Sequence, residues 1–233
     1  ADWNGTTSCD WKGSDGTDYS ATSATVTLTV APLNDAPSVT SFTEIGSEDA
    51  PVTFALTDFT GAFADVDVDA LASIQIASLP ADGTLKLAGV PVGVGNVITA
   101  SDIENLTFVP AADWNGTTSF DWKGSDGTDY SATSSTVTLT VDPLNDAPTI
   151  TSFTEIGLED AAVTFALTDF TDEFADVDGD TLASIQITSL PANGTLKLNG
   201  AAVSIDDEIT ASNIEHLTFV PAADWNGTTS FDW

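Results

Sequence analysis

Arginine and methionine are missing from this 233-residue chain, which has one cysteine, one histidine and only four lysines. Each shortage excludes something. Cys9 has no intrachain partner for a disulfide, and one Cys with one His cannot assemble the ligand sets that zinc takes. Four lysines face 36 acidic residues, for a net charge of −32, so nucleic acid is excluded as a partner: a polyanion cannot neutralise phosphates. No apolar run reaches the ~18 residues of a membrane span, and no stretch reads as a signal peptide, so no membrane insertion is expected within these 233 residues. There is no nucleophile–histidine–acid set, no glycine-rich phosphate loop and no histidine cluster for metal hydrolysis. The chain is therefore expected not to be an enzyme.

What is present is a repeat. "ADWNGTTSCDW" opens the chain, and "ADWNGTTSFDW" recurs at 112–122 and 223–233, a period of 111 residues. Residues 1–33 differ from 112–144 at three positions only: Cys9 for Phe120, Ala24 for Ser135 and Ala31 for Asp142. A 111-residue unit is long enough to bury its own core, so independent domains in tandem are expected rather than a solenoid. With 42% hydrophobic residues, six Trp and twelve Phe, the acidity does not imply disorder. The lysines also obey the period, Lys12 with Lys123 and Lys86 with Lys197, so the charge belongs to the unit.

Alternation with period two dominates each unit. "STVTLTV" places Val137, Leu139 and Val141 on one face; "PVTFALTDF" groups Val52, Phe54 and Leu56; "SIQIAS" groups Ile74 and Ile76; "TLKL" groups Leu85 and Leu87. These read as half-buried antiparallel strands. Turn chemistry separates them, as in "ADGT", "WNGTT" and "SDGTDYS". About seven strands are predicted per unit, near 38–44, 51–57, 72–78, 84–88, 105–110, 117–123 and 133–141. "TASDIENL" predicts one helical turn, with Ser101 and Glu104 spaced as a capping box. The fold class is all-β, a tandem array of Greek-key sandwiches of the immunoglobulin or cadherin type. The proline-rich "PLNDAP" predicts the unit boundaries: 1–33 as the last strands of a preceding repeat, 34–144 as a complete repeat, and 145–233 as a repeat without its last strand. Trp3 and Trp11 are expected to pack in a core, and Cys9 to replace a core phenylalanine. His216, matched by Asn105, reads as a surface residue. The "NGT" triplets at Asn4, Asn115 and Asn226 read as turns before glycosylation acceptors.

Three acidic clusters recur with the period: Asn34-Asp35 with Asn145-Asp146, Glu48 with Glu159, and "FADVDVD" with "FADVDGD". The last holds Asp65, Asp67 and Asp69, matched by Asp176, Asp178 and Asp180. So few lysines cannot neutralise alternating carboxylates, and a hard divalent cation can. Calcium, with about six to eight oxygen ligands and tolerant geometry, suits such a loop better than octahedral magnesium. Neither copy keeps the spacing of an EF-hand.

Taken together, the motifs resemble the cadherin repeat, and more closely the cadherin-like tandem repeats of large bacterial surface adhesins of the RTX type. "PLNDAP" resembles the interdomain linker D-x-N-D-N-A-P, "DVDGD" the D-x-D motif, and "EDAP" the early glutamate motif. "PAADWNG" falls where the family has L-D-R-E, and "KGSDG" resembles A-x-D-x-G, all in the family's order. The resemblance implies Ca2+ at each junction. At 141–148 the ligands would be Glu48 and Asp113, then Asn145 and Asp146, then Asp176, Asp178 and Asp180. At 30–37 they would be Asp2, Asn34, Asp35, Asp65, Asp67, Asp69 and Asp126. The linker is one residue shorter than the family's, Ala31 stands where the second junction has Asp142, and Trp-Asn replaces Arg-Glu. Fewer ions, and weaker binding at the first junction, are expected.

The function this implies is a calcium-rigidified stalk repeat of an extracellular, cell-surface adhesin. Its partners would be adjacent repeats of the same chain, with head-to-tail self-association through unpaired strands. The adhesive target is not legible. A ligand-binding sandwich module, using exposed threonine rows such as "TVTLT" to recognise a carbohydrate or a surface, is the alternative.

Overall fold

The computed structural model describes residues 3–233, and the chain divides into two compact units, one reaching Leu144 and the other starting at Asn145. No described helix is long and apolar enough to cross a membrane.

In the first unit, two sheets face each other across residues 38–142. One runs Val97–Thr99, Ser73–Ile76, Gly116–Ser125, Ser135–Asp142, Phe42–Ser47; the other runs Val52–Thr53, Leu106–Pro110, Gly83–Leu87, Val90–Pro91. The period-two pattern sets what lies between them. Phe120 and Trp122 alternate inward on one strand, and Val137, Leu139 and Val141 on its neighbour; all five are buried. Ile74, Ile76, Leu85 and Phe108 complete the same core. Close approach of the sheets fixes a small residue at Gly83, where a Cβ would lie 2.4 Å from the Phe108 ring and 2.6 Å from the Val109 carbonyl oxygen.

Several expectations are corrected. The strands are not all antiparallel: Phe42–Ser47 pairs parallel with Ser135–Asp142, because the chain enters and leaves the sandwich at opposite ends. The strand expected over 51–57 stops at Thr53, and Leu56–Gly61 forms a short helix whose first turn is held by the Asp58 carboxylate accepting the Ala55 N–H at 2.7 Å. "TASDIENL" is a 3-10 helix, Ala100–Asn105, capped from Thr99 without a side-chain bond to the backbone; the Thr99 hydroxyl instead donates to Asp102 at 2.7 Å. The Ser101–Glu104 capping box therefore does not form. Short strands at Phe63–Ala64, Val90–Pro91 and Val97–Thr99 fall in stretches too brief for alternation to register.

Residues before the first linker form a two-stranded hairpin, Gly5–Trp11 with Ala24–Val30, closed by seven register pairs from Gly5 opposite Val30 to Trp11 opposite Ala24. Its side chains do not reach a core. Trp11 is 54% exposed and Cys9 is exposed, although their equivalents Trp122 and Phe120 are fully buried; Trp3 is 56% exposed, and its equivalent Trp114 is half-buried. The same sequence buries these groups only where a second sheet covers them.

The second unit repeats the sandwich in part. Val163–Thr164, Leu217–Pro221, Gly194–Leu198 and Ala201–Ala202 form one sheet, and Ser184–Gln186 pairs with Glu208–Thr210. Phe165, Phe170, Ile187, Leu196 and Leu217 are buried between them. His216, in the 3-10 helix Ala211–His216, is exposed.

Candidate metal centre

The acidic residues gather at the poles of each sandwich, where loops rather than strands carry them. At the entry pole of the first repeat, Asp65 organises the D-x-D-x-D loop: its Oδ1 accepts the N–H of Asp67 at 2.8 Å and of Asp69 at 3.3 Å. Asp67 in turn accepts the Asp35 N–H at 2.8 Å, which ties the linker to the loop. Asn34 donates its amide to Asp126 and to Asp129, each at 3.1 Å. Asn34, Asp35, Asp65, Asp67, Asp69 and Asp126 are thus brought to one place; Asp2 lies outside the described residues. Asp129 was missed in the sequence, and its signal is the Asx turn of "SDGTD". In that turn the Asp129 N–H, then that of Thr128, and the Asn34 amide stabilise the Asp126 carboxylate and hold it below the usual range.

One atom at this pole marks the place for a cation. Asp65 Oδ2 is buried and has no hydrogen-bond partner, while Oδ1 is committed to the loop. A buried carboxylate oxygen without a donor is costly. A hard cation ligated by oxygen removes that cost, and the surrounding donor set is all oxygen. Lysine does not serve instead: Lys123 donates to the Ala132 carbonyl at 3.3 Å, and its equivalent Lys12 to Ala21 at 3.4 Å.

The exit pole of the first repeat is built by "EDA" and "ADWNG". Glu48 is 1% exposed; its Oε1 accepts the Leu144 N–H at 2.6 Å, and its Oε2 accepts the Asn115 amide at 3.4 Å. Gly116, at φ +139°, lies under the Trp114 ring, which fixes the turn that presents Asp113 and Asn115. Asp49 and Asp113 both adopt positive φ, 61° and 54°, and offer carboxylate oxygens within 4.8 Å of each other. Asp tolerates this conformation better than most residues. Asp49 was missed in the sequence, although its period mate Asp160 adjoins Glu159 in the same way.

The second unit builds its entry pole alike. Asp176 Oδ1 accepts the N–H of Asp178 at 2.9 Å and of Asp180 at 3.2 Å, and Asp178 accepts the Asp146 N–H at 2.8 Å. Asp146 and Asp178 offer oxygens within 4.8 Å of each other, while Asn145 donates to the Asp146 carbonyl at 2.9 Å. At its far pole Asp160 accepts the Asp224 N–H at 3.1 Å, and Glu159, unlike Glu48, is exposed. These carboxylate clusters can hold a metal such as Ca2+.

The two D-x-D loops differ at one revealing position. Val68 has φ 69°, and its equivalent is Gly179 at 83°. A left-handed conformation costs a side-chain-bearing residue about 1–2 kcal/mol, partly offset by the freedom glycine gains when unfolded. Val68→Gly is expected to raise the stability of the first repeat by up to about 1 kcal/mol, and Gly179→Val to lower that of the second. Thermal unfolding of the pair checks this; shifts of the same sign would contradict it.

Comparison with known proteins agrees with the architecture. A family described as cadherin-like domain matches residues 33–142 and again 144–233. No curated protein matches the chain. Among solved structures, the endo-fucoidan hydrolase MfFcnA4 from glycoside hydrolase family 107 is similar at 17% identity and a TM-score of 0.31, over 98% of this chain and 31% of that one. The endo-fucoidan hydrolase MfFcnA9 of the same family is similar at 19% identity and a TM-score of 0.29, over 84% of this chain and 31% of that one. The chain spans about a third of the length of these hydrolases. With residues 33–142 and 144–233 both matched, the chain belongs to the cadherin-like domain family.

Proposed function

We propose that the chain is a calcium-rigidified extender of a large extracellular adhesin at the cell surface, spacing a distal adhesive region from the cell, with no catalytic role. The observation that carries this reading is the buried, donorless Asp65 Oδ2 at a pole otherwise lined by carboxylates and the Asn34 amide. In this reading Ca2+ binds where one repeat follows another. Its ligands would come from Glu48, Asp49 and Asp113 of one repeat and from Asn145, Asp146, Asp176, Asp178 and Asp180 of the next. Asn34, Asp35, Asp65, Asp67, Asp69 and Asp126 serve the preceding junction. An ion held by both repeats fixes their angle, and binding only the ordered arrangement stabilises it. Without the ion, repeats that each carry a net charge near −14 repel one another across a linker of few residues. The charge left after binding keeps near-identical neighbours from coalescing.

Small-angle scattering in chelator and in millimolar calcium tests the proposal. Calcium is expected to sharpen the distribution of interatomic distances and fix the maximum dimension, with magnesium at the same concentration having little effect. Superimposable curves in chelator and calcium would sink the stiffening role.

A further inference from the structure

One inward position of the first repeat is held by a carboxyl group. Strand Phe42–Ser47 turns alternate residues, Phe42, Glu44 and Gly46, toward the interior. Phe42 packs edge-on against Phe59, with ring centroids 5.1 Å apart, and a Cβ on Gly46 would lie 2.4 Å from a Val52 methyl group. Glu44 lies between them, half-buried and level in register with the buried Leu139 of the neighbouring strand. It takes no part in the metal centre.

The helix Leu56–Gly61 brings a second carboxyl group to it. Asp58 precedes Phe59 in that helix, and the Asp58 and Glu44 side chains are hydrogen-bonded. Asp58 Oδ2 accepts the Ala55 N–H at 2.7 Å, which leaves Oδ1 for Glu44. Two carboxylates have no donor between them, so this bond needs one proton. The elements around the pair offer no lysine. Ser135–Asp142 has Asp142 alone, opposite Ser47, and Val52–Thr53 has no titratable residue. The 3-10 helix packed on Leu56–Gly61 has Glu104 and Asp102, the latter accepting the Thr99 hydroxyl. Asp121 and Lys123 alternate with the buried Phe120 and Trp122 and face the other side of their strand. Burial, then the Asp58 charge, then the hydrogen bond to Asp58 push the Glu44 carboxyl up from the ordinary glutamate value.

We propose that Glu44 donates a shared proton to Asp58, forming a latch between strand Phe42–Ser47 and helix Leu56–Gly61 that closes as the solution turns acidic. The proton is taken from water on acidification and returned to it when both groups ionise. Among the described residues Ser135–Asp142 is the only strand beside Phe42–Ser47, so the latch is a second hold on an edge strand. The folded chain binds this proton more tightly than the unfolded chain does. The stability it adds is therefore complete below the ordinary glutamate value and is lost as pH rises through the raised Glu44 value. The latch needs no metal.

A carboxyl-carbon NMR titration of the 233-residue chain in chelator, with the Glu44 signal assigned by its loss in Glu44→Gln, tests this. The Glu44 midpoint is expected above the ordinary glutamate value. Asp58→Asn, which keeps an acceptor for the Ala55 N–H, should lower it. Glu44→Gln donates an amide N–H to Asp58 at every pH. Its first repeat, followed at the amides of Phe42–Ser47, should therefore melt above that of the parent chain at about pH 7, and the gap should close toward about pH 4. A Glu44 midpoint at or below the ordinary value, a midpoint unmoved in Asp58→Asn, or a melting gap that stays constant across that range would each overturn the proposal.

Discussion

Phe59→Ala is expected to cost the first repeat about 3–5 kcal/mol, the range for deleting a fully enclosed aromatic ring. Phe59 has no solvent exposure and stands at the centre of an aromatic cluster: Trp122 at 5.0 Å, Phe42 at 5.1 Å and Phe54 at 5.8 Å between ring centroids. The first two contacts are edge-on, each adding to what burial alone provides. The cavity cannot collapse readily, because its walls belong to both sheets and to the helix itself. Domains of this size have about 5–15 kcal/mol in total, so the variant should lose a large part of its margin. Calorimetry on the chain is the measurement, with Phe170→Ala as the matched change in the second repeat, where Phe153 and Trp233 pack on the ring. A loss under about 1 kcal/mol would contradict this account of the core.

Phe59 also marks where the sequence misleads. "PVTFALTDF" alternates cleanly, and alternation predicts one strand through it. Yet after Thr53 the chain turns, and Asp58 reaches back to the Ala55 N–H to start a helix that lowers Phe59 between the sheets. Five residues of alternation cannot outvote a local capping bond, and nothing in the pattern announces that bond. Val137, Leu139 and Phe120 were legible because both edges of their strands are paired and one face is buried, the condition under which period two is strict. Trp11 and Cys9 were misplaced for the complementary reason: a strand's sequence specifies which face is apolar, not whether anything covers it. The same limit applies to the metal centre. The D-x-D loops and the linker Asn-Asp announce themselves by spacing. Asp49 and Asp129 join them only through positive φ and an Asx turn, which spacing does not express.

Glu48 separates the electrostatic part of the exit pole from its mechanical part. Glu48→Ala removes the acceptor of the Leu144 N–H and is expected to cost about 1–3 kcal/mol with or without calcium. Glu48→Gln keeps an acceptor oxygen and deletes a charge that is almost wholly buried. In chelator it should be at least as stable as the parent chain, since a buried carboxylate without a cation is unfavourable. In calcium the order should reverse: the parent chain gains stability as the ion binds, and the glutamine variant needs at least about tenfold more calcium for the same gain. Thermal unfolding against calcium concentration reads both effects. Equal calcium-dependent shifts in the parent and Glu48→Gln would remove Glu48 from the metal centre.

The parallel pairing of Phe42–Ser47 with Ser135–Asp142 bears on how the first repeat would respond to tension along the chain. Tension along the chain pulls the first strand from its Phe42 end and the last from its Asp142 end, so the two slide past one another along their length. All six register pairs, from Phe42 with Val137 to Ser47 with Asp142, are then strained at once rather than opened in turn from one end. Such a clamp fails only when its rungs give way together, so its lifetime under force is set by the unfolding barrier and not by equilibrium stability.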